Sequence, residues 1–275
     1  MDQTGTDNPI NPGEGETIQE ELSHSDKMMG VITEPSATFE KTSWFPPKTI
    51  DWFLPIFLLL LVVAVTNIVK MSNPEIKAAA QEKQMEQIRK NFDEMVAKGQ
   101  ISRQQADEQL AGIEENMEKM GGGIGMVISS VSIFIIGFII FFIMTAIYYL
   151  FAKVIFKDNG TYASAMVANG LTAYIGIIQI IIAAILALVM GKMVNDTSAA
   201  ALMDSDRSTF MGWILAKVDP FSIWAYIVLA IGLTKMFRSN SPVKYYGLVF
   251  GIWLIGGLIF FFIAQAVPFL RFFGM

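Results

Sequence analysis

Apolar residues gather in five long runs, near positions 50–70, 126–151, 165–190, 221–237 and 245–266. A helix of about 20 apolar residues crosses the hydrocarbon of a bilayer. The pattern therefore predicts an all-α integral membrane protein with five transmembrane helices. The fourth run is the shortest, and it spans if Lys235 reaches out to the headgroups. Asp51, Lys70, Lys153 and Lys235 all stand at run ends, where charged side chains meet the interface.

Between the first two runs lies a charged stretch, Ser72–Met120, with a helical period of apolar positions. Ile76, Ala80, Met85, Ile88, Phe92 and Met95 form one stripe, and Leu110, Ile113, Met117 and Met120 form another. Ser102 with Gln105 makes a capping box at the start of the second stripe. Glu86–Lys90, Glu94–Lys98 and Glu115–Lys119 are i,i+4 pairs in the favourable order. These features predict a helical hairpin, a short coiled coil inserted between the first and second membrane helices. It is either a partner-binding or dimerising element or a solvated insertion packed only on itself. Gly121-Gly122-Gly123 then forms a linker over 121–125; it lacks the Gly-Lys-Ser/Thr ending of a phosphate loop.

Residues 1–30 are rich in Asp, Glu, Thr, Asn, Gly and Pro and predict a disordered acidic tail. Residues 31–49 differ: Phe39, Trp44 and Phe45 stand among polar residues, and a short interfacial helix is expected after Pro35, its aromatics in the headgroup layer. No charged segment followed by an apolar core precedes the first run, so no cleavable signal peptide is expected.

Composition adds exclusions. The chain is 53% hydrophobic and 16% charged, with no cysteine, so disulfides and thiol chemistry are absent. Residues 1–48 hold nine acids against three lysines, which disfavours nucleic acid and anionic lipid as partners of that segment. The single histidine, His24, falls in the expected tail, which argues against histidine-based catalysis or zinc sites in the membrane region. Glu114-Glu115 reads as a helix surface. Asn159-Gly-Thr161 and Asn195-Asp-Thr197 match the glycosylation sequon, a pattern that arises often by chance. These residues argue against a membrane enzyme and against histidine or cysteine metal sites.

Within the runs the polar groups are neutral. Asn169, Gln179 and Gln265 are the candidate intramembrane contacts, with interhelical hydrogen bonding as their expected role and a polar pathway as the alternative. Gly247, Gly251 and Gly256 put small residues along the fifth run, where helix packing inside the bundle is expected, with dimerisation as the alternative.

The stretch Val218–Leu233, VDPFSIWAYIVLAIGL, opens with an Asp-Pro step. Asp is a strong N-cap and Pro is favoured at the first helical position. Asp219 is read as a cap; Asn73-Pro74 and Ser241-Pro242 repeat the device. Trp224 and Tyr226 follow as interfacial anchors.

Asp219, Pro220, Phe221, Ile223 and Trp224, then Ile231-Gly232-Leu233 and Trp253, resemble the "L-D-x-F-x-I-W … L-x-x-I-G-L" pattern of bacterial members of the YIP (Ypt-interacting protein) membrane family. GVITEPSATFEKTSWFPPKTIDWFLP resembles that family's entry into its first helix. The resemblance covers about 45–275, apart from the hairpin. The D-L-Y-G-P-type motif of eukaryotic members is absent, so a trafficking role does not carry over. The resemblance implies a five-helix bundle in a bacterial cytoplasmic membrane with the N-terminus in the cytoplasm, and it implies no enzyme activity, no cofactor and no metal. Lys and Arg do not decide the orientation: seven fall on the inner side and eight on the outer. The leading expectation is a non-enzymatic membrane protein in contact with the lipid bilayer, acting through helix packing on a second copy or another membrane protein. A small transporter or channel is the alternative.

Overall fold

The computed structural model describes residues 20–120 and 123–267. Residues 1–19, Gly121-Gly122 and 268–275 lie outside them, and with them most of the expected acidic tail and part of the glycine linker. The described chain is helical, with no strand among the described residues. Two short helices, α1 (His24–Thr33) and α2 (Pro35–Ser43), precede α3 (Ile50–Ser72). Then come α4 (Pro74–Ala97) and α5 (Arg103–Met120). Helix α6 (Gly123–Leu150) continues through a π-helical turn at Phe151–Ile155, and α7 (Tyr162–Met190) follows. After α8 (Ala199–Leu202), α9 (Phe210–Lys217) and α10 (Pro220–Met236), α11 (Pro242–Gly251) passes through a π-helical turn at Ile252–Gly256 into α12 (Gly257–Ala266).

Four segments are long and apolar enough to cross a membrane: Ile50–Ser72, Val127–Ile155, Tyr162–Met190 and Pro242–Ala266. The fifth candidate is a bent pair, α9 with α10, at 61° to each other. At 17 residues α10 lies below the usual ~20 of a span, and the fourth run reaches span length when α9 is counted with it.

Local chemistry explains most of the boundaries. Thr161 and Ser164 make a capping box at the start of α7, and Ser102 and Gln105 exchange hydrogen bonds ahead of α5. Asn73 caps α4 by accepting from Glu75 N (2.9 Å) and Ile76 N (3.2 Å). Ser241 makes no such side-chain bond, so the expected third use of the Asn/Asp/Ser-Pro device stops at Pro242 as the first helical residue. Gly191, in the left-handed region at φ 64°, ends α7.

Helix α7 is the axis of the bundle. Its first half is buried almost all round, from Ser164 to Ile175, because α3, α10, α6 and α1 all pack on it. Small residues make the close approach possible: a Cβ on Gly170 would lie 2.4 Å from Trp52 Cα. Helix α3 meets α6 through an aromatic ladder, Trp52 on Phe141, Phe53 on Phe138 and Phe57 on Phe134, with centroids 5.5–5.8 Å apart. The descending partner numbers show that the two helices run antiparallel.

The amino-terminal segment differs from expectation. Helix begins at His24, inside the stretch read as disordered, with Ser23 and Asp26 forming its capping box. Phe39 does not face outward. It is fully buried, its ring edge filling the space beside Gly232 of α10, where a Cβ would stand 2.9–3.1 Å from the ring carbons. Trp44 does stay exposed. Gly123 is already helical, so α6 takes up the end of the expected linker.

Helices α4 and α5 close on each other over Ile88, Phe92 and Ala106, flanked by Met85, Met95, Leu110 and Ile113. Arg89 with Glu114 (2.6 Å) and Arg103 with Asp93 tie the two helices across. Lys90 pairs with Glu86 at 2.8 Å and Lys98 with Glu94 at 3.9 Å. Lys83 reaches Asp204 in the segment before α9 at 2.7 Å and holds that carboxyl below its ordinary range.

Candidate functional site

The bundle holds two buried polar nodes, which meet α7 at Gln179 and at Tyr174. The first is built on Asp219. Its position is set by the Asp-Pro step: Pro220 starts α10, and Asp219 stays extended ahead of it, its Oδ1 accepting from Phe221 N at 3.1 Å. The expected cap is therefore present, but it is only part of the story. Asp219 is 2% exposed. Its Oδ1 also accepts from the Thr197 hydroxyl at 2.6 Å, and its Oδ2 accepts from Gln179 Nε2 at 2.5 Å and Ser222 Oγ at 2.8 Å. Four donors from the 191–198 segment, α7 and α10 thus converge on one carboxylate. A buried carboxylate is tolerated when its lone pairs are filled in this way.

The neighbouring segment is held by a second carboxylate. Arg207 Nη2 reaches both oxygens of Asp196, at 2.9 and 2.7 Å, and Ser198 donates to the same group through N–H and hydroxyl. Burial pushes the Asp196 carboxyl up, but the Ser198 and Arg207 hydrogen bonds outweigh it and hold it below the usual carboxylate range.

The second node lies where α1 docks on α3 and α7. Asp51 is 1% exposed. It accepts from Lys27 Nζ at 2.6 Å, and His24 Nδ1 lies 2.9 Å from its other oxygen. His24 Nε2 is 2.6 Å from the Tyr174 hydroxyl. Asp51 favours the proton on Nδ1, which leaves Nε2 of a neutral ring to accept from Tyr174. Lys27 also meets Glu21 at 3.2 Å, and the Lys48 ammonium at 2.6 Å holds Glu21 below the ordinary carboxylate range. Chemically, the chain Tyr174–His24–Asp51–Lys27 can lock a charged helix onto an apolar bundle.

The other predicted residues disperse. Asn169 donates to Thr145 of α6 at 2.8 Å, Gln179 joins the Asp219 node, and Gln265 donates to the Ser208 carbonyl. Three polar groups at three separate contacts do not line one path. Phe221 and Trp224 pack on each other, Ile223 faces outward, and Gly232 seats Phe39. A Cβ on Gly247 or Gly251 would meet nothing within 4 Å, and one on Gly256 only Ile252 of its own helix. Among the described residues, these glycines make no close approach of the kind expected for packing inside the bundle. Tyr226 is no free anchor: its ring lies 4.8 Å from that of Trp253.

Sequence reasoning missed Asp51, His24, Lys27 and Lys70. Asp51 and Lys70 stand at run ends but turn inward. Ser23, three residues ahead of Asp26, was the one sequence signal that a helix starts beside His24.

A family model, the Yip1 domain, matches residues 29–264. No curated protein and no solved structure matches the chain.

Proposed function

Given that the chain belongs to the Yip1 domain family, we propose that it is a non-enzymatic, multi-pass membrane protein that organises protein partners at the bilayer, with the α4–α5 hairpin as its recognition element. The observation that supports this reading is the exposed polar outer face that the hairpin displays on a scaffold closed by its own apolar stripes. Its apolar stripes are spent on each other at Ile88, Phe92 and Ala106. Its outer face is left polar and exposed at Gln104, Glu108 and Gln109. A rigid, charged rod on a membrane anchor fits reversible protein contacts, which are polar at the rim and lose little conformational entropy when preorganised. The nodes at Asp219 and Asp51 then serve the anchor. On this reading the chain sits in a bacterial cytoplasmic membrane with its amino-terminal helices in the cytoplasm and the hairpin on the other side.

The test is site-specific photo-crosslinking in intact membranes. A photoreactive residue at Gln109 or Ala111 should give discrete crosslinked protein bands, and one at Ile139 on the apolar outer surface should not. Lipid adducts alone at all three positions would refute the hairpin as the recognition element. Accessibility of a single cysteine placed at Gln109 to a membrane-impermeant reagent tests the orientation, and labelling only after lysis would reverse it.

A further inference from the structure

At the end of α3 a buried cation faces a cavity. Lys70 is 7% exposed. Its Nζ donates to the Val194 carbonyl at 3.2 Å and to Asn195 Oδ1 at 2.9 Å. Both acceptors are neutral, and no carboxylate among the described residues pairs with it. Buried charges are normally paired, so a formal positive charge is left without a counter-charge.

The group also borders a space. A cavity of about 240 Å³ is lined by Lys70, Thr66, Asn67 and Asn195 on its polar side and by Val63 and Ile180 among its apolar walls. Asn67 makes no side-chain hydrogen bond to any described residue, so its amide is free to donate. Asn195 is exposed in the segment after α7, so one mouth of the cavity opens beside that segment. Lys70 stands two residues before the end of α3, or about 3 Å along the axis, which is headgroup depth for a spanning helix. The volume is below the ~300–1,000 Å³ of sites for whole drug-sized ligands and suits a single headgroup.

We propose that this cavity binds a phosphate-bearing anion, with Lys70 as the charge partner and Asn67 as a second donor, and that a lipid phosphodiester is the natural source because the apolar walls of α3 and α7 continue from it. Lysine binds phosphate as a point charge, and the fixed Val194 and Asn195 oxygens preset its position.

Native mass spectrometry of the full chain in neutral detergent tests this with phosphatidylglycerol and phosphatidylcholine of matched acyl chains, and with inorganic phosphate as competitor. The wild type should retain phosphatidylglycerol preferentially. Lys70→Gln should lower that occupancy about ten-fold, the loss of one charge-assisted contact, Asn67→Leu should lower it less, and Lys70→Arg should keep it. If instead inorganic phosphate raises the melting temperature of wild type but not of Lys70→Gln, and no lipid is retained, the anion site stands and its occupant is a free anion. Equal retention of phosphatidylglycerol and equal melting with phosphate in wild type and Lys70→Gln would overturn the proposal. If Lys70→Gln does not fold, unchanged binding by Asn67→Leu does the same.

Discussion

Replacing Asp219 by alanine distinguishes a helix cap from a buried junction. Loss of an N-cap alone costs about 0.5–2 kcal/mol. Here the carboxylate also accepts from Thr197, Gln179 and Ser222, and each donor left buried without a partner costs about 1–3 kcal/mol. Thr197 is buried, whereas Gln179 and Ser222 are partly exposed and lose less when the carboxylate goes. The total for Asp219→Ala is therefore about 2–5 kcal/mol. Asp219→Asn keeps one acceptor oxygen but turns an amide toward the donors, and should fall between alanine and wild type. The assay is reversible unfolding in mixed detergent–SDS micelles, run as a double-mutant cycle with Gln179→Leu. Because the two side chains are in direct contact, a coupling energy of about 0.5–3 kcal/mol is expected. A cost for Asp219→Ala within the cap range together with strict additivity would refute the junction.

Three further outcomes follow from the packing and the loop charges. Gly170→Ala sets a methyl 2.4 Å from the Trp52 backbone and should destabilise by about 1–3 kcal/mol or more; Gly247→Ala meets open space and should gain up to ~1 kcal/mol of helix propensity, both read in the same unfolding assay. Phe39→Ala empties a fully buried site against Gly232, should cost about 3–5 kcal/mol, and should expose α2 to limited proteolysis. The folded carboxyl of Asp196 is held below its unfolded value. Its stabilisation is therefore complete at neutral pH, above the ordinary carboxylate range, and is lost as pH falls through the lower folded value. Hydrogen-exchange protection across residues 191–209, taken relative to the intrinsic rate at each pH, should fall in acid, and Asp196→Asn should flatten that dependence.

The helical architecture was legible because apolar runs and caps are local. Asn73, Ser102 and Asp219 announce their helices in two or three letters, and a run such as Tyr162–Met190 admits no other reading. What was not legible depends on orientation and on distant partners. Polar composition marked the segment around His24 as disordered, yet α1 is held by Lys27 and His24 on an aspartate more than twenty residues away. No local pattern pairs those groups. The glycines make the same point: Gly232 and Gly170 face a neighbour while Gly247 and Gly251 face none, and helix rotation, which the spacing does not encode, decides which. The 61° break between α9 and α10 was hidden for a related reason, since Lys217 to Asp219 reads simply as the edge of a run.

The proposed role of the hairpin is recognition of a protein partner. Its most direct test is the mass of the full-length protein when extracted from its own membranes into lipid nanodiscs without detergent exchange. The account predicts a discrete assembly heavier than the monomer, which dissociates when Gln104, Glu108 and Gln109 on the outer face of α5 are replaced by lysine while the bundle's unfolding transition is unchanged. A monomer in every preparation, or an assembly indifferent to those substitutions, would contradict it.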